Sequence, residues 1–542
     1  MPLVTRHEWY WVLGISLLTL AIATLPVLAG YLAQTPELQF VGALYDVQDY
    51  HSHLARMHLG ARGELRYRSL FTPEPHPSEP VILYDLVLGF VASRIGLPAP
   101  AAYELSRLTG GLALLLAAYL FIATHILQVP TRRLAFVLAI VSSGLGWLLL
   151  THPAFSYPNQ SPMDFWLADA YLLFSIMGFP HYGWAIAALL LGFVAWQHYR
   201  EQPGWRWLAV LAACSLVVGF LQVFELGLMG AVIGADAVIG LIRCPRGVRM
   251  RAFRSAGIAA LVLAPLYAAL AWPYVRGLQT NLMFQVWNAQ SRTLSPSPVH
   301  YLVGYGLLWL LVGLGGWWAW RQRDAGLVFP AIWIGVAAIL IYSPNNIQYR
   351  WLEGVHVPLA MLGAVGLERV LAPAVTRHFS GSVSLARLKW WVMTLVVLAT
   401  MPSTLYLVAG NTLLGVTHWP QAFLAREEVA GIEWLGGNSQ PDDVVLASLE
   451  IGNAIPGRIG HRVFYGHWAE TMYVDQKRAL VSAFYSDMPD ADRRALLHDY
   501  AVRFVFWGPR ERKLGTFDPS QAPYLAPVFQ SGPVTVYRVE RP

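Results

Sequence analysis

The chain has 542 residues, 56% of them hydrophobic and only 13% charged, against about 25% charged in ordinary soluble domains. A soluble globular protein is excluded. The net charge of +6 sits largely on arginines in short loops between apolar runs, which argues against nucleic acid as a partner, and two cysteines, Cys214 and Cys244, build no disulfide framework.

The first apolar run, 9–32, is too long for a signal-peptide core and reads as a retained membrane helix. Further candidate spans follow at 103–127, 134–151, 181–198, 206–222, 224–242, 255–276, 298–320, 326–343, 354–372 and 389–409, each near the ~20 residues that a bilayer requires. The segment 80–96 is the ambiguous one, because crossing there would reverse every later loop. If it lies along the outer surface, the inner side carries Arg132, Arg133, Arg200, Arg206 and the cluster from Arg243 to Arg254. The short outer loops then keep only Arg276, Arg292 and Arg350. The excess of positive charge on inner loops selects this topology: eleven spans, N-terminus inside, C-terminal region outside.

The first outer loop, 33–102, carries "YDVQDYHSHLARMHLGARGELRYRSLFTPEPH", with four acids, four histidines and four arginines. Read as a helix over 46–60, it puts Asp49, His53 and Arg56 on one face and Tyr50, Leu54 and Met57 on the neighbouring one. The pattern predicts an interfacial helix with its polar side toward water. Asp46 stands one turn before Asp49, so the two carboxylates can share a site. Either can act as general base toward a hydroxyl, or both can hold a divalent cation such as Mg or Mn. Arginine beside them suits a phosphate.

Other outer boundaries add polar groups in chain order. "MDFWLADAYLLFSIMGFPHYG" brings Asp164, Asp169 and His181; "LQVFELG" brings Glu225, an acid that is expensive near a bilayer unless paired or facing a cavity. An amide-rich loop follows at 277–297, and "SPNNIQYRWLEGVHVP" brings Arg350, Glu353 and His356. Arg350 is a candidate lipid-phosphate ligand, with a structural pair to Glu353 as its plain alternative. Asp236, inside a span, reads as a structural acid. "GLGG" at 313–316 reads as a close-packing helix face, and no zinc motif, phosphate-binding loop or nucleophile elbow occurs.

After about residue 410 the chain turns to short strands and helices. "DDVVLAS", "HRVFYGH" and "VRFVFWG" read as strands, "DADRRALLHDY" as a helix capped by Asp490, and "YLAPVFQSGPVTVYRVE" as a hairpin turning at Ser531-Gly532. "YGHWAET", with His467, Trp468 and Glu470, suits stacking on a sugar ring or a packing role.

Together, "QDYHSHLARM", "FTPEPH", "FPHYG", "QYRWLEGVHVPLAMLGAVGLE" and "GNAIPGRIGHRVFYGHWAET" resemble a bacterial branch of the GT-C superfamily of integral-membrane glycosyltransferases. The resemblance implies an α-helical polytopic membrane protein with juxtamembrane helices and a small C-terminal α/β extracytoplasmic domain, divided as 1–409 and 410–542. It implies a bacterial inner-membrane, multi-pass enzyme, a hexosyl- or pentosyltransferase. That enzyme inverts configuration as it moves a sugar from a polyprenyl-phosphate donor to a glycan, lipid or protein acceptor on the outer face. Asp49 matches the place of the family's base best, with Asp46 as competitor; family spellings put two acids together, whereas Gln48 precedes Asp49 here. Arg350, Arg56 and His53 become donor-phosphate ligands, and His181, Glu225, Glu353, His356 and Asp169 substrate-binding residues. Asp49 and Arg350 are expected to serve one outward-opening cavity. A transporter or flippase of a lipid-linked sugar, or a non-catalytic scaffold on the same fold, are the competing readings.

Overall fold

The structure, a computed structural model, describes residues 4–150, 161–378 and 384–540. Residues 1–3, 151–160, 379–383, 541 and 542 of the expected domains, among them the last residue of the expected 134–151 span, lie outside the described residues. The chain gathers into two compact units. One comprises Met1–Leu25, Ser106–Ala271 and Thr293–Gly410; the other comprises Pro26–Leu105, Trp272–Arg292 and Asn411–Pro542.

The first unit is helical. Among the described residues, and counting whole helices, some of which run on into the second unit, five are long and apolar enough to cross a membrane: Arg6–Leu32, Ala99–His125, Glu225–Arg243, Arg246–Thr280 and His356–His378. Two bent pairs raise the number to seven if each is one span. Pro298–Tyr305 meets Leu307–Gln322 at 88°, and the break falls on Gly306, whose φ of 45° is left-handed backbone that glycine adopts without strain. Leu385–Ala399 meets Pro402–Val416 at 46°, where Pro402 lacks the N–H that would continue the preceding helix. The remaining apolar runs lie on the helices Pro180–Glu201, Trp205–Leu221 and Val328–Leu340, except that the expected 134–151 run is helical only to Val141, where Val129–Val141 ends and the chain turns extended at Ser142. By helix composition this is a multi-pass membrane protein.

Two buried acids inside this unit are paired. Arg132 bonds Glu8 at 3.1 Å, and Tyr119 donates to the same carboxylate at 2.9 Å. Asp236 accepts from Trp196 Nε1 at 2.7 Å and pairs with Arg200, as a structural acid would. In the "GLGG" stretch only Gly315 is a contact glycine: a Cβ there would lie 1.9 Å from the Leu362 carbonyl oxygen, whereas Gly313 and Gly316 face open space.

The second unit joins the first loop to the C-terminal residues. β1 (Leu38–Phe40) pairs antiparallel with β2 (Phe423–Ala425), Phe40 opposite Phe423. β3 (Val444–Leu446), β4 (Val502–Trp507), β5 (Leu525–Ser531) and β6 (Val534–Val539) form a sheet in the order β3-β4-β6-β5. β3 and β4 run parallel and the rest antiparallel. The expected hairpin is present, with Gly532 at φ 51° in its turn. "HRVFYGH" supplies one bridge, Val463 to Val445, and no strand. The helix Asp490–Asp499 is capped by Pro489 instead of Asp490. Phe40, Leu59 and Phe71 from the loop share one buried core with Ile451, Ile455, Phe504 and Phe506.

Two loop helices position the chemistry. Leu83–Arg94 has 12 residues, about 18 Å at 1.5 Å per residue, too short for a ~30 Å hydrocarbon layer. Val47–Ala61 packs on it through glycines: a Cβ at Gly60 would lie 1.9 Å from the Leu86 oxygen, and one at Gly89 2.0 Å from the Met57 oxygen. The expected wet face of Val47–Ala61 is absent. His51, Ser52 and His53 are as buried as Tyr50, Leu54 and Met57, because the polar face is met by polar partners from the C-terminal residues.

Candidate functional site

In the second unit the site starts at the N-terminus of Val47–Ala61. Asp46 is the N-cap, held at φ 41°, and its Oδ1 accepts the Asp49 N–H at 3.2 Å. One carboxylate thus satisfies an orphan helix donor and fixes the other. The Asp49 side chain keeps 28% of its surface exposed, and its Oδ1 lies 2.9 Å from Nε2 of buried His467.

The tautomer of His467 follows from its other nitrogen. Nδ1 accepts two backbone N–H groups, those of Ala469 and Glu470, each at 3.1 Å. An Nδ1 that accepts carries no proton, so the proton sits on Nε2 and is donated to Asp49. Burial alone would push the Asp49 carboxyl up. The hydrogen bond from His467, with the positive charge of Arg56, outweighs it and holds Asp49 well below the usual carboxylate range. Asp49 is an anion with one oxygen oriented.

Glu470 is the hub that ties the helix down. It accepts from Ser52 Oγ at 2.5 Å, Arg56 Nη2 at 2.5 Å and Tyr67 OH at 2.6 Å. Burial raises its pKa, but Arg56, His467 and these donors hold it low. Arg56 also donates to Asp85 at 2.8 Å, and His53 Nδ1 lies 2.9 Å from the same oxygen. Arg56 and His53 therefore meet carboxylates: Arg56 is a crosslink between Asp85 and Glu470, and His53 shares the Asp85 end. The sequence showed His467 and Glu470 only as part of "YGHWAET"; their partnership with Asp49 and Arg56 spans more than 400 positions and had no local signal. Asp85 stood only as a charge in an ambiguous segment.

As a metal site the donors fall short. Asp46 caps the helix and Asp49 holds His467, and among the described residues no group of three or more His, Cys, Asp or Glu side chains is arranged for a metal ion. A Mg or Mn ion takes about six ligands. The pair does not fit one unaided, and no step below is routed through a metal.

In the first unit, Asp169, Glu225, Arg350 and Glu353 come together. Arg350 Nη1 donates to Tyr182 OH at 3.1 Å and stands 3.7 Å from Asp169 Oδ1. Its pair is thus Asp169, while Glu353 Oε1 accepts from Gln222 Nε2 at 2.8 Å. Burial raises the Asp169 carboxyl against the pull of Arg350. Burial, with the negative charges of Glu225 and Asp169, pushes Glu353 well above the usual range. The guanidinium of Arg350 keeps 28% of its side chain exposed.

His356 stands apart from that cluster. Its Nδ1 accepts the Leu172 N–H at 3.3 Å, its Nε2 reaches Ser142 Oγ at 3.0 Å, and its ring stacks on Tyr305, all packing roles. His181 stacks on Phe179 and meets Tyr182 edge-on at 4.6 Å, next to the Arg350 partner. Asp164 accepts the Gly146 N–H at 3.1 Å, and burial pushes it up to about 6.

The fold is shared with solved membrane glycosyltransferases at low identity. The oligosaccharyltransferase of Archaeoglobus fulgidus in its apo form aligns with a TM-score of 0.53 at 11% identity, over 99% of this chain and 75% of that one. ArnT from Cupriavidus metallidurans bound to undecaprenyl phosphate aligns at 0.51 and 13%, over 97% and 98%. The arabinofuranosyltransferase AftD from Mycobacteria aligns at 0.52 and 15%, over all of this chain and 40% of that one. The GT-C resemblance holds at the level of fold. No curated protein matches the sequence. The family model described as "Family of unknown function (DUF6541)" matches residues 185–541, about two thirds of the chain, and the protein belongs to that family.

Proposed function

We propose that the protein is an inverting glycosyltransferase that takes a sugar from a polyprenyl-phosphate donor and passes it to an acceptor hydroxyl outside a bacterial inner membrane. The observation that carries the reading is the oriented, partly exposed Asp49 carboxylate on His467, in a fold shared with polyprenyl-phosphate-dependent enzymes of the GT-C class. A relative of that fold was solved with undecaprenyl phosphate. The eleven apolar runs are taken as eleven spans, with residues 410–542 as the outer domain. The arginine distribution supports that orientation.

In the reaction, Asp49 Oδ2 accepts the proton of the acceptor hydroxyl as its oxygen attacks the anomeric carbon. The carbon–oxygen bond to phosphate breaks on the opposite face, and its electron pair stays on the lipid phosphate. A carboxylate held this low is a weak base, so it takes the proton late, after the forming bond has made the hydroxyl acidic. Arg350, always cationic and partly exposed, is the ligand for the phosphate. Arg56 and His53 leave that set, since carboxylates already engage them. Trp468, 39% exposed and stacked on the His467 ring that bonds Asp49, is the residue that receives an acceptor sugar.

The test is incubation of purified protein with radiolabelled polyprenyl-phosphate sugars and membrane extract. Label passes into a new product, and Asp49→Ala abolishes the transfer while the variant keeps its elution profile and melting temperature. Movement of the intact lipid-linked sugar between leaflets, without a new product, would make the protein a transporter.

A further inference from the structure

The acids of the first unit carry more hydrogen-bond acceptors than the unit itself uses. Glu225 is 1% exposed, Glu353 0%, and Asp169 and Gln222 5% each. Both carboxylate oxygens of Glu225, Oε2 of Glu353 and Oε1 of Gln222 have no hydrogen-bond partner among the described residues, while Asp169 is engaged by Arg350, Tyr182 and Glu353. The charged neighbours of Glu225 are Asp169 and Arg350, and those of Glu353 are Glu225, Asp169 and Arg350, so the groups surround one place.

A buried acceptor without a donor costs about 1–3 kcal/mol, more when charged. Natural folds retain few of these, and here they gather around one guanidinium. Close packing alone does not explain Gln222, whose amide turns its N–H toward Glu353 and leaves its carbonyl oxygen open. An arrangement of acceptors with one cation at its edge matches a ligand that has many O–H or N–H donors and an anionic group beside them. A sugar ring on a phosphate has that chemistry.

We infer that Asp169, Gln222, Glu225 and Glu353 form the subsite for the donor's sugar, accepting hydrogen bonds from its hydroxyl or amino groups, while Arg350 takes the adjoining phosphate. This rests on the donor reading above and deepens it. Specificity follows: a site that hydrogen-bonds each ring substituent rejects a sugar lacking one of them, since a buried acceptor is then left unpaired.

The experiment is thermal unfolding of the full chain in detergent, with undecaprenyl phosphate alone and with undecaprenyl phosphate bearing a neutral hexose or an amino sugar. Bare lipid phosphate raises the melting temperature, and Arg350→Ala removes that rise. At least one sugar-bearing lipid raises it further. Glu225→Gln and Glu353→Gln lose that further rise, with affinity for the sugar-bearing lipid down about tenfold or more, while keeping the rise from bare lipid. Without ligand, Glu225→Gln is at least as stable as the wild type, because an unpaired buried acid has been removed. The hexose and amino-sugar arms tell hydroxyl from ammonium recognition. If bare lipid phosphate has no effect on the wild type, the donor reading fails and the subsite falls with it. If bare lipid binds through Arg350 but no attached sugar adds to it, or the glutamine variants keep the full addition, the subsite alone is overturned. A Glu225→Gln protein less stable than the wild type would equally overturn it by making the acid structural.

Discussion

His467 Nε2 lies 2.9 Å from Asp49 Oδ1, although 418 positions separate the two residues. The C-terminal residues thereby finish a group that the first loop begins. Because Nδ1 of the same ring accepts two backbone N–H groups, the ring can rotate or change tautomer only by breaking three hydrogen bonds.

Removing that ring changes the pH dependence of transfer. In the wild type Asp49 is held below its ordinary 3.8, so its acid limb lies under the neutral range. His467→Ala takes away the largest opposing influence and leaves burial, which raises the pKa. The acid limb of kcat/KM moves upward, and kcat falls about tenfold to a hundredfold. His467→Gln, which keeps an N–H for Asp49, recovers part of both. A pH–rate profile of the three proteins checks this. The same sign holds for stability: a depressed carboxyl contributes above its unfolded pKa, and the contribution is lost as pH falls through the folded value.

Glu470→Ala leaves Arg56, with an 11% exposed side chain, one carboxylate instead of two, that of Asp85. It also removes the carboxylate that accepts from the Tyr67 and Ser52 hydroxyls. Breaking a buried pair on one side costs about 3–5 kcal/mol. Urea unfolding of the C-terminal sheet, followed by tryptophan fluorescence, shows the loss. Glu470→Gln, which still accepts, loses less.

Gly60→Ala and Gly89→Ala test the seat of the helix Val47–Ala61. Each added methyl meets a backbone oxygen within 2.0 Å, so backbone has to shift. Overpacking of this kind costs about 1–3 kcal/mol. Both variants lower the melting temperature, and transfer falls with them because Asp49 rides on the displaced helix. The Asp49 pKa itself stays depressed while the His467 contact holds.

Asp46→Ala separates cap from base. Losing the N-cap costs about 1 kcal/mol, and transfer declines only as far as Asp49 loosens. Asp46→Asn keeps the cap and keeps most of the activity. A variant Asp46→Asn as inactive as Asp49→Ala would make Asp46 the base.

Much of the fold was legible because membrane helices write themselves as long apolar runs, and ten of the eleven expected runs lie largely on helices; in 134–151 the helix ends at Val141. The hairpin at Gly532 and the helix from Asp490 were likewise local signals. What the sequence could not display was pairing. Asp49, His53 and Arg56 do lie along one helix, as their spacing requires, but spacing is silent about what covers that face. His467 and Glu470 come from the far end of the chain, so the arginine that looked like a phosphate ligand is a crosslink. Arg350 was singled out by charge scarcity, and the structure adds that Asp169, not Glu353, is its partner. "HRVFYGH" reads as a strand by composition, yet Gly466 and Gly452 come so close that a Cβ on either would meet backbone at about 2 Å, and the chain there turns instead.

The most direct measurement is transfer of radiolabelled sugar from polyprenyl phosphate by purified wild type and Asp49→Asn side by side. The isosteric amide keeps an acceptor for His467 but takes no proton. The account predicts product from the wild type and a loss of at least a thousandfold in the variant, with the melting temperature nearly unchanged. Equal product from both proteins would contradict it.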